Sequence, residues 1–290
     1  MILPTPNESF EWVQAAAGPA LVCRPIEALA AHLFTTRHWP LGSTAAGGGD
    51  DVAWDDVARA MDVDIPQLVR AHQVHGAAVA VGPNASRSRP TADIIVAHDP
   101  ALAVAIQAAD CVPLLIADRR TGAVAAAHAG WRGIAARVPA VAVDALAREF
   151  GSRPSELVAA IGPSIGACCY EVGIEVRDRF AQAGFTPDQL RRWFFSAPTP
   201  SARNPPMPGL LGRRRAERWF FDAWTVTRDQ LVAAGVSIDQ VFVAQLCTAS
   251  HPDALCSYRR DGPPGGRIAG AIRCGPRHPS RRSPVDLRAR

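Results

Sequence analysis

Between residues 68 and 127 the chain is a series of short apolar runs rich in Val, Ile and Ala: 68–74, 77–81, 93–97, 102–108, 112–117 and 123–127. Turn signals separate them, among them Gly82-Pro83-Asn84, Asp99-Pro100 and Arg120-Thr121-Gly122. Several runs are continuous rather than alternating, as in strands buried on both faces. They predict a sheet covered by helices. Upstream, residues 1–20 read as a poorly ordered arm with one short strand, and residues 31–37 alternate well enough for another. Gly47-Gly48-Gly49-Asp50 reads as a loop, and residues 52–61 as a short helix capped by Asp50 or Asp51.

Downstream, residues 134–150 predict the clearest helix, stopped by Gly151. Pro139 either marks where that helix properly starts or distorts its first turn. Residues 157–161 read as a strand and 171–183 as an amphipathic helix. The Pro- and Arg-rich stretch 196–215 reads as a long surface loop, because strands and helices resume the same pattern on both sides. A helix over 222–234 and strands near 238–246 and 267–272 complete the body. The fold class expected is α/β (α+β): a single-domain layered sandwich of mixed β-sheet flanked by helices. Residues 1–272 are expected to form this one domain and 273–290 a basic disordered tail.

Charge sharpens that boundary. The chain carries +4, but residues 273–290 hold six Arg and one Asp, so that tail accounts for +5 and the rest carries −1. A nucleic-acid role would have to rest on the tail alone, and none is expected. All 31 basic residues are arginine. Without lysine there is no Schiff base to carry pyridoxal-phosphate chemistry and no P-loop lysine. Any phosphate or carboxylate clamp must use the planar arginine fork. No apolar run approaches the ~20 residues needed to span a bilayer. The first residues have neither a basic nor an apolar signal region, so a cytoplasmic location is expected. The seven cysteines are then reduced thiols, with no Cys-x-x-Cys pair among them. Adjacent Cys168 and Cys169 read as buried packing residues.

Chemistry gathers at the ends of the apolar runs. His75, Cys111 and His128 each sit at such an end and are followed closely by Gly or Pro. A thiolate and two neutral imidazoles suit Zn²⁺, and three protein ligands leave a fourth position open, as in catalytic zinc sites. A second reading makes Cys111 a nucleophile activated by His128 or His75. The plain alternative is a buried small thiol beside two satisfied polar side chains. Asp110 is a candidate to orient a ligand histidine or to cap a strand-end turn. Tyr258 reads as packing.

The segments Gln73-Val74-His75-Gly76, Ala109-Asp110-Cys111-Val112-Pro113, His128-Ala129-Gly130-Trp131-Arg132-Gly133 and Ile161-Gly162-Pro163-Ser164-Ile165-Gly166 resemble one family in order and spacing. So do Cys169-Tyr170-Glu171-Val172-Gly173, Cys247-Thr248 and Ser257-Tyr258-Arg259-Arg260-Asp261-Gly262. Together they look like the laccase-domain (YfiH-like) family, once called polyphenol oxidases and now described as purine nucleoside phosphorylases. The resemblance covers roughly residues 30–272. It implies an α/β sandwich with catalytic and metal-binding positions at His75, Cys111 and His128, holding Zn²⁺ or Cu²⁺. It implies phosphorolysis of adenosine, inosine, guanosine and methylthioadenosine, and deamination of adenosine. Purine nucleosides and phosphate are the partners it implies, and a monomer is expected. Substrate contacts are expected from the motif-borne Arg37, Gln73, Arg132 and Arg259.

The rival activities are removal of a wrong amino acid from a nucleotide-linked muropeptide and copper-dependent phenol oxidation at the same three ligands. A true multicopper centre needs many histidines, often in His-x-His pairs; this chain has eight and no such pair. The pattern departs from the family after Thr36-Arg37. His38-Trp39-Pro40-Leu41-Gly42-Ser43 leads into the glycine run without the Asn-Leu-Gly segment that lines the site in the family, which leaves substrate preference open.

Overall fold

The structure is a computed structural model that describes residues 2–15, 17–42, 50–82, 89–208, 217–276 and 283–284. The chain opens with β1 (Phe10–Ala15), β2 (Gly18–Cys23), α1 (Arg24–Glu27), β3 (Ala30–Thr35) and α2 (Asp50–Ala60). It continues through β4 (Leu68–Arg70), β5 (Val79–Val81), β6 (Ile94–Ala97), β7 (Ala103–Ala108), β8 (Val112–Asp118) and β9 (Val124–Ala129). Then come α3 (Trp131–Ala135), α4 (Val138–Phe150), β10 (Leu157–Ile161), β11 (Glu171–Gly173), α5 (Ile174–Gln182), α6 (Pro187–Trp193) and β12 (Phe194–Phe195). The last elements are β13 (Arg218–Phe221), α7 (Ala223–Ala233), β14 (Val241–Val243), α8 (Tyr258–Asp261), β15 (Ile268–Cys274) and β16 (Ser283–Pro284).

Two mixed sheets face one another. One has the order β16-β1-β2-β3-β15-β7-β4 and the other β14-β10-β8-β9-β6-β5; a small sheet β11-β13-β12 lies apart. The layering follows from side-chain alternation along β8. Val112, Leu114 and Ile116 enter the core beneath α4 and α7, while Leu115 and Ala117 enter the core shared by the two sheets. All seven residues of β8 are buried, as its continuous apolar run requires. Alanines at 125, 127 and 129 of β9 leave room for Val138, Ala142 and Leu146 of α4 to pack on it. A third core, with Trp54 and Val57 of α2 and Met61 just after it, covers the outer face of the first sheet. The result is a helix–sheet–sheet–helix sandwich, the layered mixed-sheet architecture expected.

Several boundaries differ from expectation. The N-terminal segment holds two strands, β1 and β2, that pair over six positions, because Phe10, Trp12, Leu21 and Cys23 are buried between the sheets. Residues 134–150 are two helices: Arg137 takes a left-handed backbone (φ 64°) between α3 and α4, and Pro139 falls in the first turn of α4, where its missing N–H costs nothing. The stretch 171–183 begins as strand β11, drawn into a ladder by Arg218–Phe221 far along the chain. Helix α6 lies in sequence given no element, and β15 runs past residue 272 to Cys274. Ser283–Pro284, inside the expected tail, pairs with β1. The glycine run 47–49, the cap expected at Asp50 or Asp51, residues 209–216 of the Arg-rich loop, and residues 277–282 and 285–290 lie outside the described backbone or side chains. No helix among the described residues is long and apolar enough to cross a membrane.

Candidate active site

Three neighbouring strands deliver the site. The ladder β6-β9-β8 pairs Ile94 with Ala127 and Val112 with Ala129. One step beyond those pairs, Asp93 meets His128 and Cys111 meets Gly130. The backbone N–H of His128 accordingly donates to the Asp93 carbonyl at 2.8 Å. His75 arrives differently, on the segment that leaves β4 in one sheet and enters β5 in the other. The ligand atoms of His75, Cys111 and His128 all lie within 4.8 Å of one another. The two imidazole rings meet edge to face, with centroids 4.8 Å apart. His128 is buried, Cys111 half-buried and His75 exposed.

Asp93 assembles this set, and its role was not recognised in the sequence. Its carboxylate is fully buried at the foot of β6. It accepts the backbone N–H groups of Val74 at 3.2 Å, His75 at 3.0 Å and Gly76 at 2.7 Å, and bonds His128 Nδ1 at 2.8 Å. Burial pushes its pKa up, but the His128 bond and the Gly76 and Val74 N–H groups outweigh that and hold it below the usual range. The same carboxylate therefore fixes the His75 loop and the orientation of His128, leaving Nε2 of His128 for Cys111. The available signal was an acid opening an apolar run. Its partners are joined only by the sheet.

Two of the six described non-glycine residues with positive φ flank the site. His75 and Asp110 both have left-handed backbones, with φ of 61° and 82°. Asp110 was expected to orient a histidine or cap a turn. Its half-buried carboxylate instead accepts Thr248 Oγ1 at 2.5 Å and the Arg259 N–H at 2.6 Å, and desolvation raises its pKa. It pins the loops that frame the cavity beside Cys111.

The protonation pattern is that of an activated thiol. Burial raises the Cys111 pKa, but the charge and hydrogen bond of His128 and the contacts of His75 bring it down to about 6. Burial lowers the His128 pKa, but the Cys111 charge and the Asp93 hydrogen bond lift it to about 9. The two opposite shifts favour a thiolate beside an imidazolium.

The set also fits a metal. Two nitrogens and a sulfur converge, the Nδ1 of one ligand is anchored by a carboxylate, and Gly130 leaves the space beside them. A Cβ at Gly130 would stand 2.9 Å from both Cys111 Sγ and His75 Cδ2, so only glycine accommodates this cluster.

The cluster forms one wall of a cavity of about 420 Å³ that also takes in Gln73, Gln107, Asp110, Tyr170, Tyr258, Arg259 and Arg267. Of the expected substrate contacts, Arg259 lines the cavity, with its guanidinium bonded to the Glu171 carbonyl at 2.7 Å. Gln73 also lines it, but its amide bonds both backbone groups of Gln107, at 2.7 and 2.8 Å. Arg37 turns instead to the Pro252 carbonyl, and Arg132 stacks on Trp131 with its guanidinium 4.3 Å from the ring centre; neither lines the cavity. Tyr258, expected to pack, is 52% exposed at the cavity. Arg267 and Tyr170 were missed. Tyr170 stacks beneath Arg259 at 5.4 Å, and burial raises its pKa.

The family model described as multi-copper polyphenol oxidoreductase laccase matches residues 52–275. The chain belongs to this family. A Bacteroides thetaiotaomicron protein named purine nucleoside phosphorylase is 36% identical over 181 residues, 62% of this chain and 60% of that protein. A protein from an unknown prokaryotic organism, named adenosine deaminase RL5, is 30% identical over 254 residues, 80% of this chain and 89% of that one. The crystal structure of Bacillus licheniformis YfiH superposes with a TM-score of 0.74 at 25% identity, covering 89% of this chain and 96% of that one. The family's description and its relatives' names point to different chemistries.

Proposed function

We propose that this chain is a purine nucleoside phosphorylase with adenosine deaminase activity, acting at His75, Cys111 and His128. Adenosine, inosine, guanosine and methylthioadenosine are the proposed substrates, with phosphate as co-substrate. The observation that carries the reading is a three-ligand cluster set in the wall of a cavity of about 420 Å³ that also presents two arginines. That volume lies in the ordinary range for small-molecule sites. His75 Nε2 or Nδ1, Cys111 Sγ and His128 Nε2 would hold Zn²⁺, or Cu²⁺. When bound, such a cation supplies a Lewis acid.

In phosphorolysis, a phosphate oxygen bonds to the ribose anomeric carbon and the glycosidic bond breaks. Its electron pair leaves with the purine, which takes up the proton that the attacking hydrogen phosphate gives up. Arg259 and Arg267, which line the cavity, would hold the phosphate charge, a task no lysine can share here. In deamination, water adds at purine C6 and ammonia departs. Asp93 keeps His128 in one orientation throughout, and Asp110 holds the Arg259 backbone in place. The lowered Cys111 pKa favours a second reading, amide hydrolysis of a nucleotide-linked muropeptide with the thiolate as nucleophile.

One experiment separates these: inosine and adenosine, with and without phosphate, for the wild type and Cys111→Ala. Phosphate-dependent release of free base, lost in the variant, is expected. Ammonia release from adenosine without any base release would leave only the deaminase. No product from either nucleoside would overturn the purine reading and direct attention to muropeptides.

A further inference from the structure

A second set of soft donors lies outside the cavity described above. Cys168 and Cys169 follow β10 on the loop toward β11, and Cys247 follows β14. An isolated bridge between Ser164 and Cys247 brings the two segments side by side. All three thiols are buried, and their sulfurs lie within 4.8 Å of one another. The sequence suggested packing for the adjacent pair. Packing does not account for the polar groups aimed at the sulfurs. The Gly166 N–H donates to Cys247 Sγ at 3.3 Å, and Ser250 Oγ stands 3.7 Å from Cys168 Sγ and 3.6 Å from Cys169 Sγ. An N–H aimed at a buried sulfur favours the thiolate.

The surroundings are built to hold the sulfurs in place. The buried Asn204 accepts the Cys247 N–H at 2.8 Å and donates to the Gln245 carbonyl at 2.9 Å. The thioether residue Met207 packs against the same cluster. Cys168 and Asn204 also line a separate cavity of about 440 Å³, which gives an ion a way in. A disulfide fits less well. Neighbouring Cα atoms are ~3.8 Å apart, below the ~4.4 Å span a disulfide normally needs. A bond from either residue to Cys247 would leave the third thiol unused.

We propose that Cys168, Cys169 and Cys247 form a second metal site, a three-thiolate set for a soft, thiophilic cation, Zn²⁺ or Cu(I). Metal–sulfur bonds of ~2.3 Å place ligand sulfurs a little under 4 Å apart, so the cluster closes on an ion by less than about 1 Å. Each thiol gives up its proton to solvent on binding. The ion would brace two loops that serve the first cavity. One carries Tyr170. The other carries Thr248, which is bonded to Asp110 beside Cys111.

The test uses the full chain with the first site disabled by His75→Ala and Cys111→Ala. The protein is reduced, stripped of metal and titrated with Zn²⁺ and, anaerobically, with Cu(I); bound metal is counted after gel filtration. One equivalent of either ion is expected, and its identity names the resident cation. Adding Cys247→Ala or, separately, the cavity-lining Cys168→Ala should abolish that equivalent. Near-ultraviolet circular dichroism checks that each variant remains folded. Failure of both ions to bind at micromolar concentration overturns the proposal, as does an equivalent that survives both cysteine replacements. Loss of two titratable thiols in the unreduced, denatured protein would point to a disulfide and overturn it as well.

Discussion

Asp93→Asn tests the centre of the structural argument with almost no change in volume. Oδ1 of Asp93 faces His75 N and His128 Nδ1, while Oδ2 faces Val74 N and Gly76 N. An asparagine that keeps its oxygen toward His128 turns its NH₂ toward two backbone N–H groups. Two bonds to a charged acceptor become two donor–donor contacts in a fully buried place. Leaving a buried donor unsatisfied costs about 1–3 kcal/mol, so the pair costs about 2–6 kcal/mol. The left-handed turn at His75 loses its anchor at the same time. Loss of a partner that orients a metal ligand typically weakens metal binding 10–100-fold. Urea unfolding of the metal-free protein measures the first quantity, and calorimetric zinc titration the second. A loss below about 1 kcal/mol together with unchanged zinc affinity would refute the assignment of Asp93 as the organising residue.

Two further expectations concern the same site. Gly130→Ala keeps an allowed backbone (φ −70°), yet its methyl group must push Cys111 and His75 back by about 0.5–1 Å to reach ordinary contact distances. Turnover should fall about tenfold or more with a near-native circular dichroism spectrum, as expected when reacting groups are misplaced by under 1 Å; wild-type turnover would contradict the cradle geometry. Peptide-resolved iodoacetamide labelling of the metal-free protein should show Cys111 reacting with a midpoint near pH 6, because its depressed pKa keeps the thiolate until pH falls through that value. His128→Asn removes the main cause of the depression and should move the midpoint up; a wild-type midpoint near 9 would refute the ion pair. The stability linkage has opposite signs at the two groups. The Cys111 contribution is fully present above pH 9 and is lost as pH falls through about 6, whereas the His128 contribution is fully present below 6.5 and is lost as pH rises through about 9.

The central strands were legible because β6, β8, β9 and β10 bury both faces and so write unbroken apolar runs. Strands β1 and β2 were not, since Glu11, Gln14 and Pro19 interrupt the pattern and their burial comes from the facing sheet. Strand β11 exists because of a partner more than forty residues away, which no local pattern reveals. Helix α6 is different: Thr186, Pro187 and Gln189 form a capping box with proline in the first turn, a local signal that was open to reading. Within the site, His75, Cys111 and His128 could be named from strand ends and the family resemblance. The arginines could not be sorted, because what separates Arg259 from Arg37 and Arg132 is direction. One faces the cavity, while the others are taken up by Pro252 and Trp131.

The pairing of Val112 with Ala129 has a consequence for how this protein matures. A slip of one residue between β8 and β9 would turn the thiol to the opposite face and bring Asp110 or Val112 opposite Gly130. The hydrophobic layers would be inverted by the same slip, but a partly collapsed chain can tolerate that for a time. The approach of His75, Cys111 and His128 to one another cannot. Under the metal-binding reading proposed above, ion uptake would therefore act as a proofreader of strand alignment: only molecules with the native pairing would keep the ion.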